Sequence, residues 1–347
     1  MKRKTLITVL SLMIMLVAGC SAAQGQSVKL LKEPYKQTAF LMGTVVTVKV
    51  YDEEKGAAVE KAIARIQELA NQISPEEQDS EIDIVNDSAG IEPVRVSDDV
   101  FRLIKEGKRY SSDADGSFDI TIGPLTRLWH IGFDDARKPE QSEIDVVLPK
   151  INYENVVLNE EEKTVFLKER GMKLDLGAIA KGFIADEAVK VLREENVTTA
   201  IVDLGGNIYV MGNNPSGNPW RTGIQDPFSA RGKTIGIFPA SDLSIVTSGV
   251  YERYIEVNGV RYHHLLNPAD GYPFEGDIAG VSIISKYSID GDALSTTIFS
   301  KGLGDGLKHL ENMEGVEAVF VTFDKKVYIT KGLKNFEITN DEFTMGN

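Results

Sequence analysis

Three short segments place oxygen, nitrogen and ammonium groups at spacings that suit chemistry. In Asp290-Gly-Asp292-Ala-Leu-Ser-Thr296 a carboxylate and a hydroxyl lie four residues apart. On a helix, Asp292 and Thr296 share one face, and such oxygens suit a hard cation such as Mg²⁺. A plain helix cap by Asp292 fits the spacing as well. In Leu174-Asp175-Leu-Gly177-Ala178-Ile-Ala-Lys181-Gly182 an acid ends an apolar stretch, a glycine turns the chain, and Lys181 falls at a helix start. The free N–H groups and dipole of a helix start favour an anion, and Lys181 adds a positive charge. The glycine spacing is not that of a Walker A loop. A structural turn with a solvated lysine competes with that reading. In His263-His264-Leu-Leu266-Asn267-Pro268 two adjacent histidines point to opposite faces of an extended chain, so one at most serves a given site. Neighbouring histidines chelate a metal poorly, and one of them suits a base or hydrogen-bonding role.

These segments need elements to carry them. Strands are expected over residues 44–51, which are rich in β-branched residues, over 173–176, 234–238, 244–247, 253–257 and 280–285, and over 200–211 with a break at Gly205-Gly206. Apolar residues at helical spacing predict helices over 57–73, 100–111 and 178–193, and one beginning at Ala293. Hairpins are expected over 155–167 and 318–330. Strands and helices are mixed without regular βαβ alternation. The expected fold class is α+β, a single mixed catalytic domain over residues 35–347.

The 347 residues are 42% hydrophobic and 26% charged, enough for a packed core, with a net charge of −14. That balance excludes a broad basic surface for nucleic acid. It also requires any phosphate ligand to be compensated locally by a metal, a lysine or a helix start. The lone cysteine, Cys20, excludes an internal disulfide framework. Lys2, Arg3 and Lys4 precede a short apolar run that ends in Val17-Ala-Gly-Cys20. The run falls short of the roughly 20 residues of a membrane span and reads as a secretory signal. Val-Ala-Gly-Cys resembles a bacterial lipobox. Residues 1–19 are therefore expected to be a lipoprotein signal peptide, Cys20 the lipidated residue and 20–34 a flexible tether, with the protein anchored on the outer face of the cell membrane.

Taken in order, Phe40-Leu-Met-Gly-Thr44, Asp79-Ser-Glu-Ile82, Asp115-Gly-Ser-Phe-Asp-Ile-Thr-Ile-Gly-Pro124, Leu174 to Gly182, Gly205-Gly-Asn207, His264-Leu-Leu-Asn-Pro268 and Asp292-Ala-Leu-Ser-Thr296 resemble the ApbE family of FAD:protein FMN transferases. The resemblance spans nearly the whole chain after the signal and implies a T-fold-related domain. It implies that FAD is the substrate, that FMN passes to a Thr or Ser of an extracytoplasmic acceptor, and that AMP leaves. It implies Mg²⁺ ligands at Asp292, Thr296 and the carbonyl of Ala178. Met42, Ser117, Phe118, Asp119, Asp175, Lys181 and Leu266 match its FAD-binding positions, and His264 matches a histidine close to the reaction centre. The family's acceptor pattern, Asp-x-x-Ser/Thr-Gly-Ala-Thr, does not occur in this chain, so self-modification is not expected. Glu76 stands where many relatives carry a flavin-stacking tyrosine, and Asn267 where many carry aspartate. Two other functions fit the same residues: an Mg²⁺-dependent FAD pyrophosphatase, with water as acceptor, and a non-enzymatic FAD-binding lipoprotein.

Overall fold

The computed structural model describes residues 28–74 and 79–346. Its centre is a nine-stranded sheet. The strand order is Leu30–Leu41, Thr44–Asp52, Ala200–Leu204, Asn207–Met211, Leu243–Gly249, Ile278–Ser285, Glu317–Thr322, Lys326–Ile329 and Thr344–Met345. All neighbours are antiparallel except the last pair. Strand Ile278–Ser285 is buried along its whole length, which its unbroken apolar and small residues permit.

Side chains on opposite faces of the sheet enter different cores. Ala318 and Phe320 pack with the helices Gly56–Ile73, Ala180–Glu194 and Ser288–Leu310. Val319 and Val321 pack with Ile224, Ile235 and Phe238 of a second, three-stranded sheet made of Trp220–Gln225, Thr234–Ala240 and Glu337–Ile338. The alternation follows from the two-residue period of a strand. A third cluster, around Leu125, Trp129, Ile144 and Leu266, joins residues 122–151 to residues 255–272. The α+β expectation holds.

Four local expectations are corrected. The first strand begins at Leu30, inside the stretch expected as tether; Leu30 pairs with Asp52 and, past a bulge, Tyr35 with Val50. Residues 173–176 make a single bridge, Lys173 with Ile122, instead of a strand. The backbone there is satisfied otherwise: Leu174 N–H donates to Asn86 Oδ1 at 2.6 Å, Asn86 Nδ2 donates to Leu174 O at 3.1 Å, and Asp175 N–H donates to Ile120 O. Gly205 and Gly206 do not interrupt one strand but turn a tight hairpin, with φ of 66° and 102°. A Cβ on Gly205 would also sit 2.7 Å from Thr44 Cγ2. The last long helix starts at Ser288, five residues before Ala293, and includes Gly291 because a Cβ there would press on Val246. That helix breaks at Gly302, where φ is 69°.

Candidate active site

A cleft of about 980 Å³ opens between the sheet, the helix starts and the Trp129–Phe133 segment. Ser117, Phe118, Asp119, Asp175, Ala178, Lys181, His264, Leu266, Asp292 and Thr296 all line it. Residues read from four separate stretches of chain thus meet in one place. Met42 does not line it; its side chain packs against the main core, and Gly43, Thr44 and Val45 form the wall beside it. Cys20 and Glu76 lie outside the described residues.

Asp292 sits one turn inside the Ser288–Leu310 helix and is 4% exposed. It does not cap its own helix. Its Oδ2 accepts from Gly182 N–H at 2.8 Å, at the first turn of the facing Ala180–Glu194 helix, whose own N-cap, Ile179, offers no side-chain oxygen. The two helices can come this close because residue 182 is glycine: a Cβ would sit 2.7 Å from Ile289 Cα and closer still to Ser288 O. The support is reciprocal. Asp186, on the Ala180–Glu194 helix, accepts from Ser288 N–H at 2.8 Å and Ile289 N–H at 2.9 Å. Burial pushes the Asp186 carboxyl up to about 6. Each helix start is thus held by an aspartate from the other.

Lys181 Nζ lies 3.6 Å from Asp292 Oδ1 and donates to Gly177 O at 3.1 Å. The carboxylate therefore already attracts a cation at the cleft wall, and Ala178 and Thr296 line the same cleft. One carboxylate, one hydroxyl and one carbonyl are hard oxygen donors, and the set fits Mg²⁺ with water and phosphate completing its shell. Among the described residues no group of three or more His, Cys, Asp or Glu side chains could hold a metal, so any cation here relies on this mixed set.

The other acids mostly brace the walls. Asp175 Oδ2 accepts from Thr126 Oγ1 at 2.7 Å and Oδ1 from Gly177 N–H at 2.8 Å, which fixes the turn that carries Ala178. Asp119 accepts from Thr121 N–H, Thr121 Oγ1 and Tyr153 N–H, while burial pushes its carboxyl up. Ser117 Oγ donates to Ala114 O, and the Phe118 ring packs edge-on to Tyr110.

The histidine pair divides as an extended chain requires. His263 is buried, with Nε2 at Phe274 O and its ring against Phe299. His264 faces the cleft. Its Nδ1 lies 3.2 Å from Arg253 O, which only a protonated Nδ1 can satisfy, so Nε2 keeps its lone pair. Burial, and to a lesser degree the charges of Arg253 and Lys181, pushes the ring down to about 4. It is neutral and able to accept a proton at physiological pH.

Several lining residues carried no sequence signal. Arg231 donates to Gly205 O and pairs with Glu252 at 3.1 Å. Arg127 and Arg253 add positive charge to the same cleft in a chain whose net charge is −14. His130 stacks on Phe133 with ring centres 4.0 Å apart. An arginine or histidine with no neighbouring motif cannot be placed before the chain is folded.

Residues 42–320 match the ApbE family. An FAD:protein FMN transferase of Klebsiella pneumoniae is 38% identical over 298 residues, covering 85% of this chain and 92% of that protein. The FAD:protein FMN transferase of Treponema pallidum is 34% identical over 316 residues, covering 86% and 87%. Among solved structures, the ApbE protein of Thermotoga maritima superimposes with a TM-score of 0.80 at 29% identity, covering 86% of this chain and 97% of that one. The flavin transferase ApbE from Vibrio cholerae gives 0.77 at 26% identity, covering 88% and 99%.

Proposed function

The chain belongs to the ApbE family, and from that premise we propose that it is an FAD:protein FMN transferase that binds FAD in the 980 Å³ cleft, works with Mg²⁺ and modifies a protein outside the cytoplasm. The observation that carries this reading is that Asp292, Thr296, Ala178 and Lys181 line one cleft, with Lys181 beside Asp292 and a neutral His264 among them.

Asp292, Thr296 and the Ala178 carbonyl would hold the Mg²⁺. When bound there, the ion lowers the negative charge of a diphosphate and of the leaving AMP. Lys181 and the start of the Ala180–Glu194 helix hold the phosphates in line. Ser117, Phe118, Asp119, Asp175 and Leu266 are proposed to shape the FAD site, with Asp119 and Asp175 acting by fixing the loops, and Met42 to act from behind the wall formed by Gly43, Thr44 and Val45. A hydroxyl of the acceptor's Thr or Ser attacks the FMN phosphorus. His264 Nε2 takes its proton. The bond from that phosphorus to AMP breaks, AMP leaves with the electron pair, and FMN stays on the acceptor as a phosphoester.

The same reading extends to the ends of the chain. Residues 1–19 are proposed as a lipoprotein signal peptide and Cys20 as the lipidated residue. The stretch from Cys20 to the first strand would tether the catalytic domain to the outer face of the cell membrane, where redox flavoproteins with an Asp-x-x-Ser/Thr-Gly-Ala-Thr-like motif would be acceptors. Mass spectrometry of such an acceptor, after incubation with FAD and Mg²⁺, should show a gain of one FMN on a Thr or Ser. Steady AMP and free FMN without any acceptor would instead mark a pyrophosphatase. Bound FAD with no AMP under any condition would mark a binding protein.

A further inference from the structure

Asn207 begins the second strand of the Gly205-Gly206 hairpin and lines the cleft, yet it is 2% exposed. Its Nδ2 has no hydrogen-bond partner among the described residues. A buried amide donor without an acceptor is costly, and native proteins rarely keep one. The orientation of the amide is fixed from behind. Ser288 Oγ donates to Asn207 Oδ1 at 2.5 Å, and Ser244 Oγ donates to Ser288 Oγ at 2.9 Å. Ser288 has one O–H, and both serines are fully buried. The reversed amide would set an N–H against that proton and leave it without an acceptor. The relay therefore leaves Nδ2 as the half of the side chain without a partner, in a residue that lines the cleft.

The relay also says what the donor would meet. Ser288, Asp292 and Thr296 are spaced four residues apart, so they form one row along the helix. Asn207 is anchored at the first position of that row, and the cation-binding oxygens occupy the next two. A ligand whose phosphates lie along Asp292 and Thr296 brings an anionic oxygen to the Ser288 end. We propose that Asn207 is a ligand-binding residue whose Nδ2–H donates to a non-bridging phosphate oxygen of the bound nucleotide. The assignment rests on the dinucleotide reading of the cleft and adds to it the contact that satisfies the orphan donor.

A hydrogen bond to a charged acceptor is worth about ten- to a hundredfold in binding. Calorimetric titration of the full-length protein with ADP and with riboflavin, in Mg²⁺, separates phosphate from flavin contacts. Asn207→Leu should weaken ADP at least tenfold and leave riboflavin within twofold of the parent. Should Asn207→Leu not fold, Asn207→Asp, which keeps the acceptor for Ser288, gives the same comparison. A folded variant that binds ADP as the parent does overturns the proposal. So does an equal loss for riboflavin, which would assign the residue to packing or to the flavin ring. Failure of the parent to bind either compound is visible before any variant is made and overturns the dinucleotide reading together with this contact.

Discussion

A single carboxylate holds two jobs at residue scale. Asp292 satisfies the Gly182 N–H and faces Lys181 at 3.6 Å. Replacing it with Ala should lower FMN transfer by about 10²–10³-fold, the usual cost of removing a group that stabilises developing charge. The check is transfer rate against Mg²⁺ concentration; full activity at low Mg²⁺ would refute the ligand assignment. His264→Gln should cost about 10²–10⁴-fold in transfer if Nε2 takes the acceptor's proton. Because burial pushes His264 down to about 4, the acid limb of the pH–rate profile should fall near pH 4 and not near the ordinary histidine value of about 6.5. An acid limb that stays unchanged in a His264→Gln protein with residual activity would remove the histidine from the proton transfer.

At element scale, the site depends on how two helix starts meet. Gly182 allows the approach, Asp292 and Asp186 lock it, and the turn held by Asp175 delivers Ala178. Gly182→Ala would drive a methyl group into Ser288 O and Ile289. The expected cost is about 1–3 kcal/mol in stability, with a loss of transfer as Asp292 shifts. Asp186→Ala strips two N–H groups of their acceptor and should cost about 1–2 kcal/mol. Denaturant unfolding reads both changes. If Gly182→Ala kept its stability and its rate, close helix contact would not be what positions Asp292.

On the scale of the whole molecule, the cleft draws on residues from Gly43 to Thr296, so ligand binding should couple to global stability. FAD with Mg²⁺ at about 100 times its Kd should add about 2.7 kcal/mol, read as a higher Tm, and Asp292→Ala should lose most of that gain. The acid side gives a second test. The folded chain holds His264 near 4, below its unfolded value of about 6.5, so the unfolded chain binds the extra proton between these values. This contribution to stability is full above pH 6.5 and is lost as the pH falls towards 4. His264→Gln should therefore lose less stability than the parent over that window in parallel thermal scans. A lipid anchor at Cys20 predicts that Cys20→Ala releases the protein from membranes; retention would leave that anchor without support.

The amino-acid order alone determined what is local. The helix over 57–73 and the strand at 44–51 follow from residue types and periodicity, because apolar spacing fixes which face of an element is buried, and the strand at 280–285 follows from an unbroken apolar and small run. That Asp292 and Thr296 share one helix face follows from four-residue spacing, and the division of labour between His263 and His264 from strand alternation. Tertiary structure alone decided how these pieces face one another. Nothing near Asp292 in sequence foretells that it caps a helix 110 residues away. Nothing around Asn86 announces that its side chain would replace a strand partner for Leu174, nor does Asn207 reveal its orphan amide. The reason is physical: periodicity reports the environment of one element, whereas hydrogen bonds between distant side chains and backbone exist only after the cores have packed.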